Sequence, residues 1–167
     1  HFARACVAGR EAGMNWELSS MPVLTLLTLL PLFGGILVCG LDERFHARCR
    51  PIAAGFSLAA LALALLAFRA FQTDAVGFQF VERHAWAPSI GVEYHLGVDG
   101  LSLAMMLLTG LIFPFALLSS RQTTPKPHLF YGLFLFLEAG LMGAFSALNF
   151  YHWFLFWELS QIGRAHV

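Results

Sequence analysis

Residues 129–158 read LFYGLFLFLEAGLMGAFSALNFYHWFLFWE: an apolar run from Leu129 to Leu148, a single asparagine, and a second apolar run opening at Phe150. The first run carries one charge in 20 residues, which at about 1.5 Å per residue matches the roughly 30 Å hydrocarbon core of a bilayer. Asn149 marks a tight reversal, so the two runs are expected to be antiparallel neighbours. Each holds one acid. Glu138 lies eleven residues before Asn149 and Glu158 nine after it, which puts both roughly 13 to 17 Å from the reversal, near the bilayer centre. A carboxylate at that depth costs roughly 2.5 to 3.5 kcal/mol on insertion scales. Two of them at matching depth are the sharpest feature of the chain.

The rest of the sequence agrees with a membrane setting. Of 167 residues, 58% are hydrophobic and only 12% charged, whereas a soluble domain carries roughly 25% charge to cover its surface. The missing charge implies a surface that faces lipid. Ten basic residues balance ten acidic ones, leaving no cationic excess for nucleic acid or another polyanion. Three further apolar runs precede the quoted stretch. Met21–Leu41 is uncharged, with Pro31, Gly34 and Gly35 in its middle. Ile52–Phe71 follows a polar turn over Asp42–Arg50 and is expected to use Pro51 in its first helical turn; its one charge, Arg69, lies close enough to the end to snorkel. Leu101–Ser119 is the third. Between the second and third runs, Gln72–Val98 alternates apolar and polar residues around Pro88-Ser89, the pattern of a β-hairpin lying on the membrane surface, with Trp86 and Tyr94 suited to the interface. The expected fold is an all-α polytopic membrane helix bundle, four full spans plus a truncated fifth, with a short outward-facing β-hairpin.

Asp99 precedes the third run in Asp99-Gly100-Leu101-Ser102, where its carboxylate is placed to cap the helix by accepting a backbone N–H. Lys and Arg set the orientation. The turn after the first span holds Arg44, Arg48 and Arg50 and the turn after the third holds Arg121 and Lys126, whereas the hairpin region has Arg83 alone. The positive-inside rule then puts these two turns in the cytoplasm and the hairpin and N-terminus outside. The cysteines Cys6, Cys39 and Cys49 form no CxxC, and His46 with Cys49 is at most half a metal site, so no metal is assigned. At the ends, His1–Gly13 has no apolar periodicity and reads as non-native upstream sequence, with Met14 or Met21 as the start. Residues 161–167, closing in Gly163-Arg164-Ala165-His166-Val167, read as a translated sequencing adapter.

Burial raises the cost of a carboxylate and a nearby cation lowers it, so a midplane glutamate can load and release a proton as its surroundings change. Glu158 and Glu138 are therefore the expected proton-pathway residues, Glu158 the stronger because its tryptophan and phenylalanine neighbours offer no polar partner. The plainer reading of both is a hydrogen-bonded glutamic acid joining helices. His152 reads as interfacial, Arg69 as a membrane anchor, and Ser102 and Thr109 as ordinary helix-face hydroxyls.

The sequence resembles a known family in a set of segments: a Pro-Leu-Phe-Gly-Gly first span, the Trp-containing hairpin, Val98-Asp99-Gly100-Leu101-Ser102-Leu103, Leu137-Glu138-Ala139-Gly140-Leu141-Met142-Gly143, and Phe154-Leu155-Phe156-Trp157-Glu158-Leu159. These are similar to the antiporter-like membrane subunits of respiratory complex I, nearest to chain M of the bacterial NADH-quinone oxidoreductase, over Met14–Ser160. The resemblance implies that residues 14–160 are the N-terminal helices of an antiporter-like transmembrane domain of about fourteen helices in the bacterial inner membrane. It implies proton translocation driven by quinone reduction elsewhere in the complex, with other membrane subunits as partners, and it assigns Glu158 the fifth-helix proton-pathway glutamate. Glu138 matches a fourth-helix position that is often polar in relatives. The later-helix lysines that modulate the glutamate in that family have no counterpart here, since the single lysine, Lys126, sits in a loop. No haem, flavin or iron-sulfur motif is present, so no cofactor is assigned and no redox step is expected of this chain. Two other readings share these features: a subunit of a multi-subunit cation/proton antiporter, and a membrane anchor or assembly scaffold whose glutamates are helix glue.

Overall fold

A computed structural model describes residues 22–42, 45–73, 77–87, 92–120 and 126–162. The upstream stretch His1–Gly13, both candidate starts, the Pro88-Ser89 turn, Arg44, Arg121 and the closing Gly163–Val167 lie outside the described residues.

Those residues form five helices and two strands: α1 (Val23–Cys39), α2 (His46–Ala70), β1 (Gln79–Ala87), β2 (Val92–Val98), α3 (Gly100–Ser119), α4 (Pro127–Ser146) and α5 (Phe150–Ile162). Three helices, α2, α3 and α4, are long and apolar enough to cross a membrane. The first helix is shorter than its apolar run. It starts after Pro22 and stops at Cys39, where the Gly40 N–H bonds back to the Ile36 carbonyl, so its 17 residues span about 25 Å. Hydrophobicity sets how long a helix could be, and the end groups set how long it is. The second helix moves the other way. The expected polar turn gives way to helix at His46, because Ala47, Arg48 and Arg50 are good helix formers. Pro51 therefore sits inside α2 rather than in its first turn, at the cost of one hydrogen bond to the preceding turn.

The two strands pair antiparallel, with Glu82 opposite Leu96 and His84 opposite Tyr94. Gln79 pairs with Val98, so two residues on β1, Phe80 and Val81, match one on β2, Gly97, between the first two pairs. The extra residue is a β-bulge, and Phe80 within it has φ of 52°, the left-handed region. In a regular strand residues 79 and 82 point to opposite faces. The bulge puts Glu82 on the same face as buried Leu96 and Val98, toward the helices. The outward face carries the exposed Arg83–Glu93 ion pair at 2.6 Å.

This hairpin is tied down on two sides. The α4–α5 turn adds to its edge: Ala147 bridges to Leu96, the Leu148 N–H donates to the His95 carbonyl at 3.0 Å, and Asn149 Nδ2 donates to the Glu93 carbonyl at 3.2 Å. Asn149 Oδ1 also accepts the Tyr151 N–H at 3.1 Å, capping α5. Hence the start of α1, the hairpin and the α4–α5 turn share one side of the bundle. The opposite side gathers the end of α3 and the starts of α2 and α4, where Arg50 donates to the Leu118 carbonyl and the Ser120 and Tyr131 hydroxyls lie 3.3 Å apart.

The fourth helix is central, packing against α1, α2, α3 and α5. Glycines make this possible. A Cβ on Gly132 would collide with Cys39 of α1; one on Gly140 would lie 2.8 Å from the Phe156 carbonyl oxygen and Ser160 nitrogen; one on Gly143 would enter the Phe156 ring. Small residues at helix crossings let backbones approach, as membrane bundles require. Two apolar clusters flank the middle of α4, one on the hairpin side reaching Met142 and one on the far side reaching Leu135.

Candidate functional site: a half-satisfied glutamate on the central helix

Between those clusters sits Glu138, with 0% of its surface exposed. Ser57 of α2 donates its hydroxyl to Glu138 Oε1 at 2.9 Å. The other oxygen, Oε2, is buried with no hydrogen-bond partner among the described residues. Ser57 reaches the acid because it belongs to a stripe of small side chains, Ala53, Ser57, Ala60, Ala64 and Ala67, all buried. Their spacing of four and three residues lines one helix face and lets α2 lie close to α4. Sequence reading passed over Ser57; the usable signal was a lone hydroxyl at the helical period of an alanine stripe.

Glu158 has a different environment. The α5 residues that meet α4 are Phe156 and Ser160, seated over Gly140 and Gly143. At about 100° per residue, Glu158 lies about 200° around the helix from both, and its side chain is exposed. One turn before it on that face lie Phe154 and Leu155, both exposed. Glu138 is likewise two residues from Gly140, so it turns off the α5 face of its own helix, toward Ser57. The two glutamates occupy adjacent helices and point away from each other.

Asp99 stands at the start of α3, where it accepts the Ser102 N–H at 2.8 Å while Ser102 Oγ accepts the Asp99 N–H at 2.9 Å, a reciprocal capping box. The Ser102 hydroxyl, and then its backbone N–H, hold the Asp99 carboxyl below the ordinary range. Thr109 donates to the Met105 carbonyl within its own helix at 2.8 Å, and Arg69 is exposed in the last turn of α2.

A second buried carboxylate was not singled out from the sequence. Glu82, 8% exposed, accepts the Leu24 N–H at 2.7 Å and the Thr25 N–H at 3.2 Å, and also the Thr25 hydroxyl. These are the orphan donors at the start of α1, whose N-cap, Pro22, has no side-chain acceptor. The hairpin thus caps α1 from 57 residues away. The Tyr94 hydroxyl lies 2.8 Å from Thr25 Oγ1. Since Thr25 gives its only hydroxyl proton to Glu82, Tyr94 donates to Thr25. Burial lifts the Tyr94 phenol above its ordinary value; the Thr25 bond opposes that shift and the Glu82 charge adds to it. Among the described residues no three His, Cys, Asp or Glu side chains converge as a metal site would require.

The family described as NADH-ubiquinone oxidoreductase chain 4, amino terminus, matches residues 55–147, a segment that takes in Ser57, the hairpin, Asp99 and Glu138. Similar proteins include F(420)H(2) dehydrogenase subunit M of Methanosarcina mazei, 36% identical over 147 residues, which is 85% of this chain and 28% of the relative. NAD(P)H-quinone oxidoreductase chain 4 1 of Nostoc sp. is 35% identical over 147 residues, 87% of this chain and 27% of the relative. Chain 4 2 of the same oxidoreductase from Thermosynechococcus vestitus is 37% identical over 142 residues, 84% of this chain and 27% of the relative. The chain therefore spans little more than a quarter of the length of these curated relatives. The match over more than half of its residues makes it a member of the NADH-ubiquinone oxidoreductase chain 4 amino-terminal family.

Proposed function

We propose that this chain is the N-terminal portion of a proton-translocating membrane subunit of an NADH-quinone oxidoreductase, in which Glu138 and Glu158 carry protons. The observation that carries the reading is Glu138: a carboxyl in the middle of the central helix with one donor and one oxygen unpartnered among the described residues. An ionised carboxylate needs several donors to replace water, and Ser57 supplies one. The group therefore rests protonated, and it ionises when water or a cation reaches Oε2. That is the behaviour a proton carrier needs.

Glu158 acts on the other side of α5. Bare carboxylate against lipid is expensive, so the face bearing Glu158 meets protein or water in the assembled complex, where a cation would draw off its proton. Similarity is equal toward a subunit named for F(420)H(2) and subunits named for NAD(P)H, which supports a role independent of the electron donor. Translocation is then driven by other subunits of the complex. We place the four full spans and a fifth in a bacterial inner membrane, with the hairpin and the N-terminus outside, because Arg48, Arg50 and Lys126 lie on the opposite side.

The Ser57–Glu138 bond also favours one rival, in which Glu138 is helix glue. Glu138→Gln and Glu158→Gln in the full-length protein, within its assembled complex, separate the two. Proton translocation per electron pair is expected to fall at least about tenfold with assembly intact. Unchanged translocation in both variants overturns the proposal, and loss of assembly with Glu138→Gln favours glue.

A further inference from the structure

Two buried side-chain atoms lack a partner among the described residues. One is Glu138 Oε2 and the other is Nδ1 of His152, a residue only 3% exposed. His152 is the third residue of α5, beside the hairpin. Three rings enclose it: Tyr94 at 4.8 Å between centroids and nearly perpendicular, Trp86 at 5.0 Å, and Phe156 at 6.5 Å. Behind Tyr94 runs the hydrogen-bonded chain from its hydroxyl through Thr25 to the carboxylate of Glu82.

We propose that the hairpin and the adjoining ends of α1 and α5 form a second protonatable site, in which His152 takes up a proton between the rings of Trp86 and Tyr94 and Glu82 supplies the countercharge. The purpose assigned to it, holding protons on the hairpin side, rests on the proton-translocating reading above. In the resting state the ring is neutral and carries its hydrogen on Nε2, leaving the Nδ1 lone pair as acceptor. A proton from hairpin-side water forms the Nδ1–H bond and gives an imidazolium; release returns the proton to water and restores the neutral ring. Aromatic faces within about 6 Å attract a cation, and more strongly when it is desolvated. Three donors fix the Glu82 carboxylate in position behind Tyr94.

Among the described residues, the hairpin brings Tyr94, with Glu82 behind it and His84 stacked on it at 6.4 Å, and carries His95 and the mutually paired Arg83 and Glu93 on its outward face. The helix α1 and the part of α4 after Glu138 contain no titratable side chain apart from Cys39 at the distant end of α1, and on α5 the other titratable side chains, Tyr151 and Glu158, are exposed. The pairing of His152 with Glu82 is therefore the electrostatic contrast to test.

The test uses the full-length protein in its assembled complex, in bilayers, with 15N-labelled histidine. Subtracting the ring spectrum of His152→Phe, which keeps an aromatic of similar volume, isolates His152; His152→Gln provides a second subtraction should Phe disturb other histidines. The expected result is conversion of the neutral ring to the doubly protonated ring as the pH is lowered, with the midpoint moved further downward in Glu82→Gln. A ring that stays neutral throughout, or a midpoint that Glu82→Gln leaves in place, overturns the proposal. The readout needs no turnover. If both glutamate variants translocate normally, the proton-carrier reading falls while the titration of His152 is decided on its own.

Discussion

Glu82 and Glu138 are both buried carboxyls that bond to a neighbouring helix, and they differ in how many donors reach them. Glu82 accepts two backbone N–H groups and a hydroxyl at the start of α1. Glu138 accepts one hydroxyl from Ser57, and its second oxygen has no partner among the described residues. The donor count decides the role. A carboxylate wrapped in donors is fixed as an anion and serves as structure, whereas one with a single donor is poised to hold a proton. The hairpin owes its attachment to the first kind, and the proposed chemistry of the bundle rests on the second.

The strongest way to break this comparison is to remove Glu82. Glu82→Ala leaves the Leu24 and Thr25 N–H groups and the Thr25 hydroxyl without their acceptor, and is expected to lower stability by about 3 kcal/mol. Thermal unfolding of the full-length protein in bilayers measures it. Glu82→Gln keeps an acceptor and should cost about 1 kcal/mol. Equal losses from Ala and Gln would show that the carboxylate does not cap α1.

Glu138 should respond with the opposite sign. Glu138→Leu replaces a half-satisfied buried carboxyl by an apolar side chain of similar size, and such exchanges are often neutral or stabilising. We expect stability unchanged or raised by about 1 kcal/mol while proton translocation is lost. A loss as large as that of Glu82→Ala would make Glu138 structural too. Ser57→Ala should cost about 1 kcal/mol when Glu138 is present and nearly nothing in the Glu138→Leu background. Additive losses in that cycle would mean the Ser57 bond carries no weight.

The same contrast explains what the sequence could reveal. Depth needs only a residue count from a recognisable turn, so Asn149 located Glu138 and Glu158 along their helices. Facing needs the rotation of each helix, which is set by where Gly140 and Gly143 receive Phe156 and Ser160. Those contacts are tertiary, and the opposed directions of the two acids were invisible before them. Helix existence followed from apolar runs, but the ends of α1 and α2 followed from Pro22, Gly40 and the helix-forming residues before Pro51. Glu82 was the hardest to read. Its alternating strand says only which residues share a face, and a one-residue bulge at Phe80 reverses that assignment. The missing acceptor at Pro22 showed that α1 needed a cap, yet nothing local named a residue 57 positions away as its source.

Asp99 tests the donor-count rule where water competes. It accepts from the Ser102 N–H and hydroxyl, nearly as many donors as Glu82, but it is exposed, so water can replace each bond it loses. Asp99→Ala should therefore cost no more than about 1 kcal/mol, well short of Glu82→Ala. The pH dependence has a fixed sign. The Ser102 bonds depress the folded-state pKa below the ordinary 3.8, so the unfolded chain binds the proton first. The contribution is then fully present above that value and is lost as pH falls through the lower, folded-state pKa. Acid unfolding of the wild type and Asp99→Asn should accordingly converge below pH 3.8 and separate above it. Parallel curves would mean that the capping bonds do not depend on the charge of Asp99, and that the donor count, without burial, says nothing about how a carboxylate is held.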